Sequence, residues 1–168
     1  MEYWRNISFP NSLKVRIFKS NVVSVLLHGS STWKDTKSIA IKLQVFVYCC
    51  LRSIFHVYWP NTISNMNLLK MADMQQIDGI IKRHKWGWIG HTLRKDESSV
   101  ARQAMQWNPL DGIGRKKGRP CETWRRTVEK ECKNLNKTWP DLKQLAQSRV
   151  RWRVGIVDTL SPGRDQAN

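Results

Sequence analysis

The chain has 168 residues, 40% apolar and 25% charged, enough for one globular domain or two small ones with a real core. Its charge is lopsided: 29 Lys and Arg against 13 Asp and Glu give +16, a surplus that selects polyanionic partners, nucleic acid ahead of anionic membrane. A membrane-spanning or secreted protein is not expected, because apolar runs reach about four residues where roughly 20 are needed, and MEYWRNISFPNS has no apolar signal core.

Residues 12–28, SLKVRIFKSNVVSVLLH, read as a helix capped by Ser12 and ended by a left-handed Gly29, with Leu13, Ile17, Val22, Val25 and Leu26 toward a core. Its β-branched content leaves strand open for part of it. Residues 36–57 read as a longer helix, whose stripe is Ile39, Leu43, Phe46, Cys50, Ile54 and Val57. Trp59-Pro60-Asn61 breaks it. Ser64 caps a short helix carrying Leu68, Leu69 and Met71. A third long helix, about residues 74–94, places Ile77, Ile81, His84, Trp88 and His91 on one side and leaves Lys82, Lys85 and Arg94 off it. Gly87 and Gly90 inside that helix each cost about 1 kcal/mol relative to Ala, so close packing or a kink must use them.

Residues 98–107 fit a short helix or an extended segment. Residues 108–119, NPLDGIGRKKGR, read as a loop, and Pro120 suits the first turn of a helix that carries Trp124, Val128 and Cys132 to about Asn134. Thr138 caps the last helix, with Pro140 in its first turn and Asp141 at its third position. The stripe there is Leu142, Leu145, Ala146, Trp152 and Ile156, and residues from Ser161 onward form a frayed tail. The fold class expected is all-α, a helical segment over 1–60 followed by a basic helical domain over 61–160 and a disordered tail over 161–168.

Chemistry concentrates in residues 82–126, which hold twelve Lys or Arg against four Asp or Glu, and four of the nine tryptophans. Cations interleaved with flat rings suit a polyphosphate with stackable bases. Phosphate contact is assigned to Lys82, Lys85, Arg94, Arg115, Lys116, Lys117, Arg119, Arg125 and Arg126. Trp86 and Trp88 face about 200° apart on a helix, so Trp88 is assigned to the core and Trp86 either to base stacking or to packing between helices. Trp107, Trp124, Trp139 and Trp152 read mainly as core. The core Lys117-Gly118-Arg119-Pro120 also resembles an AT-hook.

No metal site, cofactor or catalytic residue is expected. Cys49, Cys50, Cys121 and Cys132 read as free thiols of a reducing compartment, and neither they nor His84 and His91 have chelating spacing. His84 and His91 read as partly buried histidines, with phosphate contact as a minor role. Asp96-Glu97, the adjacent acidic pair, does not look like a two-metal site.

Six segments in order resemble non-LTR, LINE-type retrotransposon polyproteins, in the thumb and basic C-terminal region downstream of the reverse-transcriptase palm. They are LKVRIFKSNVVSVLLHGSSTW (13–33), LQVFVYCCLRSIFHVYWPNTISN (43–65), WGWIGHTLRKD (86–96), ARQAMQW (101–107), GRKKGRPCETWRRTVEKE (114–131) and LAQSRVRWR (145–153). Two positions depart from that family's pattern: His28 replaces a Tyr, and Ser148 stands where an acid is usual. The resemblance implies a nuclear process, target-primed reverse transcription, in which this region grips RNA, DNA or an RNA–DNA hybrid beside the palm and endonuclease domains. Neither catalytic domain is in this sequence, so the chain alone is expected to be non-catalytic. A stand-alone AT-hook-like protein and an inactive element relic are the alternatives.

Overall fold

The computed structural model describes residues 9–34, 36–106 and 124–160. The fold is all-α, and the described residues form helices joined by turns. Their contacts group into two units, one of residues 9–30 and 36–81, the other of residues 31–34, 82–106 and 124–160.

In the first unit, α1 (Asn11–Ile17) continues through a π-helical stretch, Phe18–Val23, into α2 (Ser24–Leu26). Its N-terminus follows Pro10 and has no side-chain cap, so Ser12 is not the cap. Gly29, at φ 68°, ends it in the left-handed region as expected. The buried face is Lys14, Val15, Phe18, Val23 and Leu27, whereas Leu13, Ile17 and Val25 are exposed. The step of five from Phe18 to Val23 is the wider π turn, which rephases a stripe drawn at 3.6 residues per turn.

Helix α3 (Lys37–Ile54) starts at Thr36, whose hydroxyl accepts from the Ile39 N–H. It buries Val47, Leu51 and Ile54, while Ile39 and Phe46 of the expected stripe face solvent. Apolar residues occur almost all round this helix, so several phases satisfy the periodicity and the contacts of α1 and α4 select one. Ser64 caps α4 (Asn65–Met71) through the Asn67 N–H, and Leu68 and Leu69 are buried.

Helices α3, α4 and α7 (Trp124–Asn134) end alike, each on a left-handed residue that is not glycine: His56, Asp73 and Asn136. In each the next N–H reaches back five residues: Val57 to the Arg52 carbonyl, Met74 to Leu69 and Lys137 to Cys132, at 2.9–3.1 Å. These are Schellman endings, which satisfy last-turn carbonyls.

The second unit has its core among α5 (Ile77–Leu93, from Lys82 onward), α6 (Val100–Gln106), α7, α8 (Trp139–Ala146) and α9 (Arg149–Trp152). Val100–Gln106 thus resolves as helix. The side chain of Thr138 accepts from the Asp141 N–H and the Asp141 carboxylate accepts from the Thr138 N–H, a complete capping box. The long terminal helix expected after Thr138 is divided. It stops at Ala146, and Ser148 caps a new start by accepting from the Arg151 N–H. From α9 the chain runs through a second π turn, Arg153–Val157, into α10 (Asp158–Leu160), burying Trp152, Ile156 and Val157. No helix among the described residues is long and apolar enough to cross a membrane.

Candidate nucleic-acid interface

The inner face of α5 runs Ile77, Ile81, Lys85, Ile89 and Leu93 at steps of four, widened by Trp86 and Gly90. The expected stripe shared its first two residues and then diverged, because a lysine was not placed inside. Lys85 is 1% exposed, and its Nζ lies 2.6 Å from Oε1 of Glu131 on α7. Trp86 is fully buried and its Nε1 donates to the other oxygen, Oε2, at 2.7 Å. One carboxylate thus satisfies both groups, which would otherwise carry a large desolvation cost. Lys85 as a phosphate contact is therefore corrected, and of the two readings of Trp86 packing between helices is the one the fold uses, since both side chains are engaged in the interior. Of the two neighbouring tryptophans, Trp88 is the one partly open to solvent.

The same face joins α5 to α9. Trp152 Nε1 donates to the Trp86 carbonyl at 2.9 Å, with the indole centroids 6.0 Å apart and tilted by 47°. A Cβ on Gly90 would overlap the Trp152 indole, so close approach is the use of that glycine, whereas the same atom on Gly87 would meet open space. One turn further on, Arg94 Nη1 donates to the carbonyl of Ala146, the last residue of α8, at 3.2 Å. Burial and then the neighbouring Arg149 pull the Arg94 guanidinium below its ordinary value. Trp86, Gly90 and Arg94 form a docking face for α8 and α9.

The remaining expected contacts are scattered. Lys82 and Arg126 are partly buried, and Arg125 is paired with Glu129 at 3.1 Å, both side chains about half exposed (50% and 52%). Arg115, Lys116, Lys117 and Arg119, with the AT-hook-like core, lie outside the described residues. Exposed cations of the second unit that were not assigned to phosphate contact are Lys95, Lys130, Lys133, Lys137, Arg149, Arg151 and Arg153. Lys95 and Lys137 lie between helices, and Arg149, which falls in the apolar stripe of the last helix, reads from sequence as a snorkelling stem.

Residues 82–106 and 124–160 contain fifteen Lys and Arg against six Asp and Glu. Four of those six acids are engaged locally: Glu131 by Lys85 and Trp86, Glu97 by Arg102, Glu129 by Arg125, and Asp141 by its own cap. The Thr138 hydroxyl and N–H hold the Asp141 carboxyl below the usual range. Partial burial and then Arg83 lower the His84 pKa, which favours the neutral ring and weakens its case as a phosphate contact. Three or more potential metal ligands do not cluster among the described residues.

A cavity of about 230 Å³ opens between α6, α7 and the start of α8, lined by Met105, Trp124, Arg125, Val128, Glu129 and Trp139. Trp124 is fixed on two sides: Nε1 donates to the Ser31 carbonyl at 3.2 Å, and Trp88 meets the ring edge to face at 5.7 Å. Trp124 and Trp139, assigned mainly to the core from sequence, pack against it and also stay partly open.

Compared with known proteins, the chain is similar to a Caenorhabditis elegans protein described as an uncharacterized transposon-derived protein, with 21% identity over 123 residues. The match takes in 71% of this chain and 44% of that protein, so the chain spans less than half the relative's length. No family model matches the chain. No solved structure matches it either.

Proposed function

We propose that this chain is a nucleic-acid-holding piece of a transposon-encoded protein, corresponding to the part of a LINE-type reverse transcriptase that grips template RNA, primer duplex or target DNA. A transposon origin is supported by the similarity to the transposon-derived nematode protein. The narrower LINE reading is supported by the order of the sequence motifs. Residues of three of those motifs, Trp86, Glu131 and Trp152, join in one hydrogen-bonded cluster, as parts of a single domain should.

One observation carries the binding reading. In the second unit the described residues carry fifteen Lys and Arg against six Asp and Glu, and Lys95, Lys130, Lys133, Lys137, Arg149, Arg151 and Arg153 are exposed. That surplus suits a phosphate backbone. Alone, the chain holds nucleic acid and leaves its chemistry to palm and endonuclease domains. Such work places it in the nucleus.

The test is binding of the purified chain to duplex DNA, single-stranded DNA and an RNA–DNA hybrid over a salt series. The reading expects log affinity to fall linearly with log salt, at about −0.9 per phosphate neutralised on duplex and about −0.7 on single strands, with the hybrid bound at least as tightly as the duplex. Weak binding with no salt dependence would overturn it.

A further inference from the structure

The cavity between α6, α7 and α8 has the ingredients of a base-reading slot. Its walls are two indoles, Trp124 and Trp139, with the Met105 thioether and Val128. At about 230 Å³ it falls below the roughly 300–1,000 Å³ of clefts that hold drug-sized ligands, so it suits one planar ring rather than a whole nucleotide. Trp124 is held in place by Ser31 and Trp88, so little rotamer freedom remains to be lost when a ring enters.

The polar part of the lining selects among rings. Glu129 lines the cavity with a carboxylate, whose Oε1 accepts from Arg125 Nε at 3.1 Å. Guanine is the base whose Watson–Crick edge carries two adjacent donors, N1–H and the N2 amine, beside the O6 acceptor. A carboxylate can accept from both donors at once. Uracil and cytosine turn mostly acceptors toward that carboxylate, and adenine offers it one donor. Flipped or unpaired bases are commonly read this way, by stacking on aromatic walls and hydrogen bonds to that edge.

We propose that this cavity takes a single unpaired guanine from a bound strand, stacked against Trp124 and Trp139 and read by the Glu129 carboxylate. The proposal rests on the nucleic-acid reading above, and the experiment separates the two. Affinities of the full chain are compared for a short uridine strand and for the same strand with one central guanosine. The guanosine should raise affinity roughly tenfold, the scale of one good base contact. Glu129 is half exposed, so Glu129→Gln should fold, and it should remove that increment when each protein is referred to its own uridine-strand affinity. A strand with 6-thioguanosine at that position should photo-crosslink within residues 124–139 or at Met105. Salt-sensitive binding to both strands with equal affinity, or a crosslink elsewhere in the chain, would overturn the slot and leave the broader reading standing. No binding to either strand would overturn both.

Discussion

Lys85 is the residue whose role changes most between sequence and structure. Its Nζ and the Trp86 indole N–H share the Glu131 carboxylate inside the second unit. Removing one partner of such a pair strands the other charge, at about 3–5 kcal/mol. Lys85→Met should therefore lower the urea midpoint strongly. Lys85→Met with Glu131→Gln should recover much of the loss, because the amide is neutral and still offers Trp86 an acceptor. Were Lys85 a phosphate ligand, the single change would weaken binding and leave the midpoint alone. Local periodicity could not reveal the pair, since its partner lies 46 positions away. Cys132, beside Glu131, feels the same interior. Burial, followed by Glu131 and Glu129, pushes its thiol up from 9.0 to about 11. A raised thiol pKa favours the neutral form in the fold, so this contribution is present below pH 9 and fades as pH rises toward 11. At pH 8 the thiolate fraction is then roughly a hundredfold lower than for an unshifted thiol. Mass spectrometry after brief iodoacetamide treatment should find the exposed Cys49 modified and Cys132 intact, and equal labelling would contradict the burial.

At the scale of the element, α5 is a helix whose glycines do different work. Gly90 makes room for the Trp152 indole, which is held by the Trp86 carbonyl and cannot easily step aside. Gly90→Ala should cost about 1–3 kcal/mol through overpacking, even though Ala is the better helix former. Gly87 faces open space, so Gly87→Ala should stabilise by up to about 1 kcal/mol. Thermal denaturation of the two variants should give shifts of opposite sign. The sequence allowed packing or a kink as uses for these glycines, without showing which glycine met a partner. Other parts of the elements were legible because their causes are local: the caps at Ser64 and Thr138, the turn at Gly29, and the Val128 and Cys132 face of α7. What escaped has a cause further off or an unusual residue. The Schellman endings use His, Asp and Asn where glycine is the usual sign. The π turns shift a face by one residue without any change in composition. Ser148, noticed as the loss of an acid, interrupts the last helix because its hydroxyl starts a new one.

Over the whole molecule, the charge surplus was legible as a sum, while its placement required the fold. The sequence concentrated the interface in residues 82–126, yet two of the chosen side chains are interior and four lie outside the described residues. Exposed cations continue well beyond that stretch, to Lys133, Lys137, Arg149, Arg151 and Arg153. A surface that follows a phosphate backbone through many weak contacts behaves differently from a site built around one anchor. Each contact contributes its own counterion release, so neutralising any one should lower the salt slope by about 1 and affinity by a modest factor. We expect Lys133→Gln, Arg151→Gln and Arg153→Gln each to weaken duplex binding by roughly two- to fivefold, and the triple change to approach the product of the three. All three side chains are exposed, so circular dichroism and thermal midpoints should stay close to those of the parent. Full loss of binding from one of the three would mean a discrete anchor at that residue. No effect from the triple change would count against an extended basic surface on these helices. A graded decline with an intact fold is what an extended polyphosphate surface requires, because no single cation then holds more than its share of the strand.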